Sequence, residues 1–267
     1  MPKTSRSETR DLPKGGDLFV EAFARGLAVV RAFGPHHQRM TLSEIAARAD
    51  ITPAGARRLL HTLITLGYAT QEGRTFCLTP KVLEIGFAYL TSLPLRDIAH
   101  NAVEAFMRET GEIGTVTVLD GNAVVYVARA EMPSPVTRRL GVGERLPAHA
   151  TSSGIILFSS LAPEVLDRLL DKAPFERMTP HTLVDAEPLR HAIIHAKTCG
   201  YALASEHLEL GICGLAVPIL DEKGATVAAF TTSLRLAKHS RDDIVERFLP
   251  RLQQAALQIS QTLGYRR

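Results

Sequence analysis

Ala54, Arg57, Arg58 and His61 stand three or four positions apart, the spacing that gathers side chains on one face of a helix. Two guanidiniums and an imidazole behind a small methyl suit the edge of a nucleic acid. Arginine pairs with phosphate, or bidentately with O6 and N7 of guanine, and an alanine lets a base edge or a thymine methyl come close. The competing reading is an amphipathic helix with a solvated arginine pair. A second constellation is Thr151-Ser152-Ser153-Gly154, three hydroxyls ahead of an apolar run. Backbone N–H groups and hydroxyls at a helix start can hold a carboxylate in an apolar site; the same run is also a helix cap. Arg138 or Arg139 offers a fork for that anion if its strand faces inward. His149 is either a hydrogen-bonding partner for a ligand or a satisfied loop histidine.

Other reactive residue types lead less far. His191 and His195, four apart on one helix face, have a spacing that can chelate zinc. No cysteine or carboxylate stands with them at a telling position, so no metal is expected. His36-His37 reads as a solvated loop pair. The three cysteines, Cys77, Cys199 and Cys213, are widely spaced and suggest neither metal nor disulfide framework, which points to a reducing cytoplasm. There is no Gly-x-Ser-x-Gly elbow, and Gly141-Val142-Gly143 is too short for a dinucleotide or phosphate loop. No catalytic residue and no cofactor are expected.

The elements that must carry the basic face are marked in the chain. Thr41 stands three residues before Glu44, a capping box. Thr52 before Pro53 is an N-cap followed by a first-turn proline. Leu42, Ile45, Ala46 and Ala49 form one apolar stripe, and Ala56, Leu59, Leu60 and Leu63 another. Helix, tight turn, helix is the plan whose second helix enters the major groove. Upstream, Leu18 to Phe33 places Phe19, Phe23, Ala24, Leu27 and Val30 at helical spacing, a first helix expected to cover the pair. Downstream, Gly67 ends the second helix, and residues 68–78 read as two strands about a glycine turn. That turn carries Gln71 and Arg74, the latter as a phosphate contact or as a solvated hairpin tip.

Composition agrees with two soluble domains in 267 residues. Residues 1–80 hold 11 Lys and Arg against 7 Asp and Glu, a net +4 where the whole chain has +3, leaving −1 for the rest. Counterion release favours that bias for a DNA partner. No apolar run is long enough for a transmembrane helix, so no membrane partner is expected. Residues 1–16 read as a disordered basic arm, not a signal peptide. Residues 17–79 form the expected winged helix-turn-helix, 80–95 a linker helix broken at Leu93-Pro94-Leu95-Arg96, and 96–267 an effector domain. In that last part, helices over Ile98–Thr110, from Ala150, Pro163–Leu170, Glu187–Cys199 and about Asp242–Leu263 alternate with strands. The strands are Thr115–Leu119, Val124–Arg129, Leu215–Leu220 and Thr226–Leu234, with a further candidate at Arg138–Leu140; the fold class is α+β.

From about Phe19 to the last helix the chain resembles IclR-type bacterial transcriptional regulators. The resemblance rests on Ala24-Arg25-Gly26-Leu27-Ala28-Val29-Val30, on Leu78-Thr79-Pro80-Lys81-Val82-Leu83-Glu84-Ile85-Gly86, on Leu119-Asp120-Gly121, on residues 143–154 and on Gly214-Leu215-Ala216-Val217-Pro218-Ile219. Residues 19–26 and 79–90 are most similar to the branch regulating protocatechuate, β-ketoadipate and 4-hydroxybenzoate breakdown. The resemblance implies a GAF-like effector domain and a small organic acid as signal. It also implies homodimers, or dimers of dimers, on a palindromic double-stranded operator. By the same alignment Ser152, Ser153, Gly154, Gly214, Thr231 and Ser233 fall where effector-pocket residues lie. Two departures touch the pocket: Ile155 follows Gly154 where many members have a basic residue, and many members carry a longer polar match around the segment Glu206–Cys213. An enzyme acting on an aromatic or keto acid, or a regulator without an effector, is the alternative.

Overall fold

The computed structural model describes residues 19–34, 37–86, 95–131 and 141–266. The arm 1–16, His36, residues 87–94 of the expected linker helix and the candidate strand Arg138–Leu140 lie outside the described residues. The chain divides into two compact units at residues 89 and 90.

The first unit runs α1 (Glu21–Ala32), β1 (Met40–Thr41), α2 (Leu42–Arg48), α3 (Pro53–Thr65), β2 (Ala69–Glu72) and β3 (Thr75–Leu78), with β3 paired antiparallel between β1 and β2. The capping box forms: Glu44 N–H donates to Thr41 Oγ1, and Thr41 N–H donates to the Glu44 carboxylate at 2.7 Å. Those bonds, led by the backbone one, hold the Glu44 carboxyl below its ordinary range. At the other end of α2, Ile51 N–H returns to Ala46 O at 3.0 Å around Asp50, whose φ is 52°. This is a Schellman ending, and aspartate is one of the few non-glycine residues that enter the left-handed region routinely. Val29, Ala32, Met40, Ile45, Leu60 and Phe76 close the core.

The first helix corrects an expectation. It begins at Glu21, and only its C-terminal half, through Val29 and Ala32, reaches the core; Phe19, Phe23 and Leu27 are exposed, Phe23 at 68%. After the hairpin, Pro80–Val82 form one 3-10 turn that continues as helix through residue 86, with Leu83 and Ile85 exposed.

The second unit runs α4 (Leu95–Thr110), β4 (Gly114–Asp120), β5 (Ala123–Ala130), β6 (Arg145–Pro147), α5 (Ser152–Phe158), α6 (Pro163–Leu170), α7 (Ala186–Cys199), β7 (Ala202–Ser205), β8 (Ile212–Leu220) and β9 (Thr226–Arg235). A last helical stretch follows, with an α turn at Arg241–Asp243, a π segment at Ile244–Phe248 and α8 (Leu249–Thr262). The expected break at Leu95-Arg96 is instead the start of α4. The strands β6 and β7 were not anticipated.

All pairings in the six-stranded sheet, β6-β5-β4-β9-β8-β7, are antiparallel. Alternation along the strands splits the side chains between two faces. Val116, Leu215, Val217, Ile219, Phe230 and Leu234 pack with residues of α4 and α8 on one face. There Phe106 meets Phe230 edge to face, centroids 5.5 Å apart, a contact worth about 0.5–1.5 kcal/mol beyond its buried area. Ala202, Ala204, Ala216 and Ala229 face α5 and α7 on the other. Small residues on this second face leave its polar groups to define what lies against it.

Candidate functional sites

Helix α3 starts as its sequence dictates. Gly55 N–H donates to Thr52 Oγ1 at 3.2 Å with Pro53 in the first turn. Burying Ala56 and Leu60 turns Ala54, Arg57, Arg58 and His61 outward, and all four are exposed. No acidic residue occurs on α3. From Ala54 to His61 the helix rises about 10 Å, which fits a major groove about 12 Å wide. Its N-terminal end also carries the positive end of the helix dipole.

The hairpin beside it turns at Gly73, φ 60°, and leaves Arg74 exposed. Gln71 Nε2 donates to Gly73 O at 2.8 Å, so this side chain stiffens the turn. Arg39 forms a two-pronged ion pair with Glu72, neutralising the carboxylate nearest the tip. The guanidinium holds the Glu72 carboxyl below its ordinary value and is itself raised by it. Lys81 Nζ donates to Leu66 O at 3.0 Å and lies 5.2 Å from the centre of the Tyr68 ring. A cation is thereby placed on the closing carbonyls of α3, where the dipole favours it.

In the second unit, register assembles the polar face. Thr115 pairs with Arg129 on one side and with Thr231 on the other, and Thr231 pairs in turn with Ala216. Directly paired residues share a face, so Arg129, Thr115 and Thr231 form one row above Ala216. Thr117 with Tyr126, and Gly214 with Ser233, form the rows on either side. A Cβ added at Gly214 would lie 2.7 Å from Ser152 Oγ, which sets the start of α5 over this face. Thr115 Oγ1 donates to Thr231 O at 3.2 Å. Three groups here are buried without a partner: Thr117 Oγ1, Thr231 Oγ1 and Arg129 Nε. Each orphan costs about 1–3 kcal/mol, and a ligand with acceptor oxygens would recover that.

Arg129 is the residue that sequence reasoning missed. Its side chain is 10% exposed, its Nη2 bonds Glu131 at 2.5 Å, and its guanidinium carbon lies 6.0 Å from the centre of the Tyr126 ring. Burial, partly opposed by the Arg129 charge, pushes the Tyr126 phenol up. Simple alternation along residues 124–129 places this arginine on the other face; the register shift between Val116 and Thr117 brings it beside Thr115, and that shift has no marker in the sequence.

Other expected site residues are held by the protein itself. Thr151 Oγ1 accepts Gly154 N–H at 3.0 Å and donates to Ala148 O at 3.2 Å, so this hydroxyl works as a cap. Ser153 Oγ bonds Thr151 Oγ1 at 3.4 Å. Gly154 is required by the backbone: an added Cβ would sit 1.9 Å from Ala148 O. His149 Nε2 donates to Glu176 O at 2.9 Å, and its ring stacks on Phe175 with centroids 4.9 Å apart. Burial lowers its pKa. Nearby, Glu206 adopts φ 60° and accepts Gly211 N–H at 2.7 Å, shaping the loop that carries His207. Burial, with Arg241, His181 and His149 adding like charge, lowers the His207 pKa, and its Nδ1 is buried without a partner.

Comparison with known proteins accords with this division of labour. The family description "IclR helix-turn-helix domain" matches residues 22–73, and "Bacterial transcriptional regulator IclR C-terminal" matches residues 87–261. The Pca regulon regulatory protein of Pseudomonas putida is 38% identical over 237 residues, 88% of this chain and 81% of that protein. The p-hydroxybenzoate hydroxylase transcriptional activator of Acinetobacter baylyi is 33% identical over 243 residues, 89% of this chain and 90% of that one. Among solved structures, an IclR homolog from Microbacterium hydrocarbonoxydans complexed with 4-hydroxybenzoate superposes with a TM-score of 0.80 at 29% identity. That match covers 91% of this chain and 98% of the other.

Proposed function

Because the chain belongs to the IclR family of bacterial transcriptional regulators, we propose that its DNA binding is controlled by an aromatic acid of the 4-hydroxybenzoate or protocatechuate class. The observation that carries this reading is the row Arg129–Thr115–Thr231 with its unpartnered Nε and hydroxyl groups. A carboxylate fits Arg129 and Thr231, whose row ends on the small residue Ala216. Ser152 and Ser233 flank that position and suit a ring hydroxyl. Two relatives support the class by name: a p-hydroxybenzoate hydroxylase activator, and a homolog complexed with 4-hydroxybenzoate. Relatives in the family are named as regulators, not enzymes.

Residues 17–79 read the operator, 80–95 link, and 96–267 sense. Thr52, Ala54, Arg57, Arg58 and His61 contact DNA from α3, and Arg74 from the wing. The exposed stripe Phe19, Phe23 and Leu27 supports a homodimer, and two recognition helices then require a palindromic operator. Acid binding favours one arrangement of that dimer over another, which is how a signal shifts operator affinity. The setting is the cytoplasm, where the DNA is, and no described helix is long and apolar enough to cross a membrane.

The test is a melting-temperature panel of aromatic and dicarboxylic acids, since a ligand bound only to the folded state raises the midpoint. A rise with 4-hydroxybenzoate or protocatechuate that also changes operator affinity supports the reading. A flat panel refutes the effector class.

A further inference from the structure

The segment that leaves the DNA-reading unit first returns to the end of its recognition helix. Three successive carbonyls there, those of Leu66, Gly67 and Tyr68, accept from Thr79 and Lys81, which flank the start of the linker. Lys81 Nζ donates to Leu66 O at 3.0 Å, Thr79 Oγ1 to Gly67 O at 2.6 Å and Thr79 N–H to Tyr68 O at 2.9 Å. We propose that Thr79 and Lys81 are positioning residues for operator binding. By locking the first turn of the linker to the end of α3, they fix the spacing of the two half-sites that the protein accepts.

The ending of α3 prepares this contact. Gly67, with φ 81°, donates to Ile64 O at 2.9 Å, and Tyr68 N–H donates to Leu63 O at 2.8 Å, a Schellman ending. That motif satisfies the carbonyls of Leu63 and Ile64 and turns the next ones toward the returning chain. The stem of Lys81 crosses the turn, since a Cβ added at Gly67 would meet Lys81 Cδ at 3.6 Å. Its ammonium also faces the Tyr68 ring, 5.2 Å from the centroid. On the linker side, Val82 N–H donates to Thr79 O at 3.1 Å, and the helix continues through residue 86. A single cap would satisfy one carbonyl and leave the linker free to pivot about it. Three donors from one short segment, on three consecutive carbonyls, define an orientation.

The consequence falls on the operator, and it rests on the homodimer proposed above. Moving one half-site by a base pair shifts it about 3.4 Å along the duplex and turns it by about 35°. A recognition helix that pivots on its linker follows that change. One locked to its linker follows only by straining the joint. The joint resists up to the free energy at which it opens, here that of a hydrogen bond to a charged group. Breaking it should therefore cost about tenfold in discrimination between spacings. The face of α3 that meets the bases is untouched, so the preferred half-site sequence stays the same.

The test selects duplexes from a random library with the full-length protein. Synthetic palindromes carrying the selected half-sites, with base pairs added to or removed from the spacer, are then titrated by mobility shift. The parent should bind one spacing best. Lys81→Met and Thr79→Val should each reduce that preference while selecting the same half-site, and Lys81→Arg, which keeps charge and donors, should retain it. Equal weakening at every spacing would mark a helix cap only and overturn the proposal, as would parental discrimination in both variants. Lys81 is exposed, so its variant should stay folded by circular dichroism; an unfolded Lys81→Met would show a purely structural role and also overturn it. A parent that selects isolated half-sites refutes the homodimer and the proposal together, whereas one fixed spacing shared by parent and variants refutes the proposal alone.

Discussion

Replacing Arg129 by methionine should weaken 4-hydroxybenzoate binding by a calculable amount. Methionine keeps most of the apolar stem and removes the charge. The lost interaction is a charge-assisted hydrogen bond to a carboxylate, worth about 1.5–3 kcal/mol, or roughly 10- to 150-fold in Kd. The single variant also strands Glu131, whose side chain is 21% exposed and bonded to Arg129. That carboxylate would then repel the acid and enlarge the loss. The double variant Arg129→Met/Glu131→Gln removes the repulsion and isolates the missing bond. Isothermal titration of all three proteins with 4-hydroxybenzoate measures the loss, and melting without ligand reports any cost to the fold. The double variant should lose affinity within the range given, the single variant should lose more, and Glu131→Gln alone should bind more tightly because the Arg129 guanidinium then lacks a counter-charge. Parental affinity in the double variant would refute the assignment of Arg129 to the carboxylate.

Other expectations are more compact. Arg57→Ala should abolish operator binding in a mobility-shift assay while leaving acid affinity unchanged, and an unchanged operator affinity would remove Arg57 from the interface. Gly154→Ala should give insoluble or unfolded protein, since its Cβ meets a backbone carbonyl at 1.9 Å; Gly214→Ala should fold, but displace Ser152 and lose acid binding. Circular dichroism and titration separate those two outcomes. Burial lowers the folded-state pKa of His149 and His207 below the ordinary value of 6.5. The unfolded chain therefore takes up protons first as pH falls through that value, and stability present above it is lost below. The melting temperature should drop between about pH 7.5 and about pH 5.5, with a smaller slope in His149→Gln/His207→Gln; an identical slope would discount both histidines.

How far the sequence could be read depended on whether the signal was local. Helix α3 was legible because cap, first-turn proline and apolar period all lie within Thr52–Leu63. The outward residues Ala54, Arg57, Arg58 and His61 followed from that period. The hairpins were legible from their glycine turns. Asp50 was not read as left-handed, because glycine is the usual marker and aspartate is silent. β7 escaped because Ala202-Leu203-Ala204-Ser205 has no β-branched or aromatic residue, and its identity as a strand comes from pairing with β8. Phe19, Phe23 and Leu27 read as apolar at helical spacing; Phe23 and Leu27 lie on α1 and Phe19 just ahead of it, and periodicity cannot say what covers them. The effector face was the least legible part. Ser152, Gly214, Thr231 and Ser233 came from family resemblance, and Arg129 joined them only through pairings that span more than a hundred residues.

That long-range pairing also bears on how the molecule is made. β4 and β9 lie side by side at the middle of the sheet, yet Thr115 and Thr231 are far apart along the chain. A chain leaving the ribosome completes α1 to β3 from local contacts, long before β9 exists to join the two halves of the second sheet. Domains tend to form in that order during synthesis, and non-local strand pairing is intrinsically slow. For an interval the DNA-reading unit is thus finished while its sensor is half a sheet with two open edges. Nascent chains stalled after Leu220 should protect residues 37–78 from protease and leave β4 and β5 open to it. Protection of β4 at that length would show that the sensor closes without its central partner.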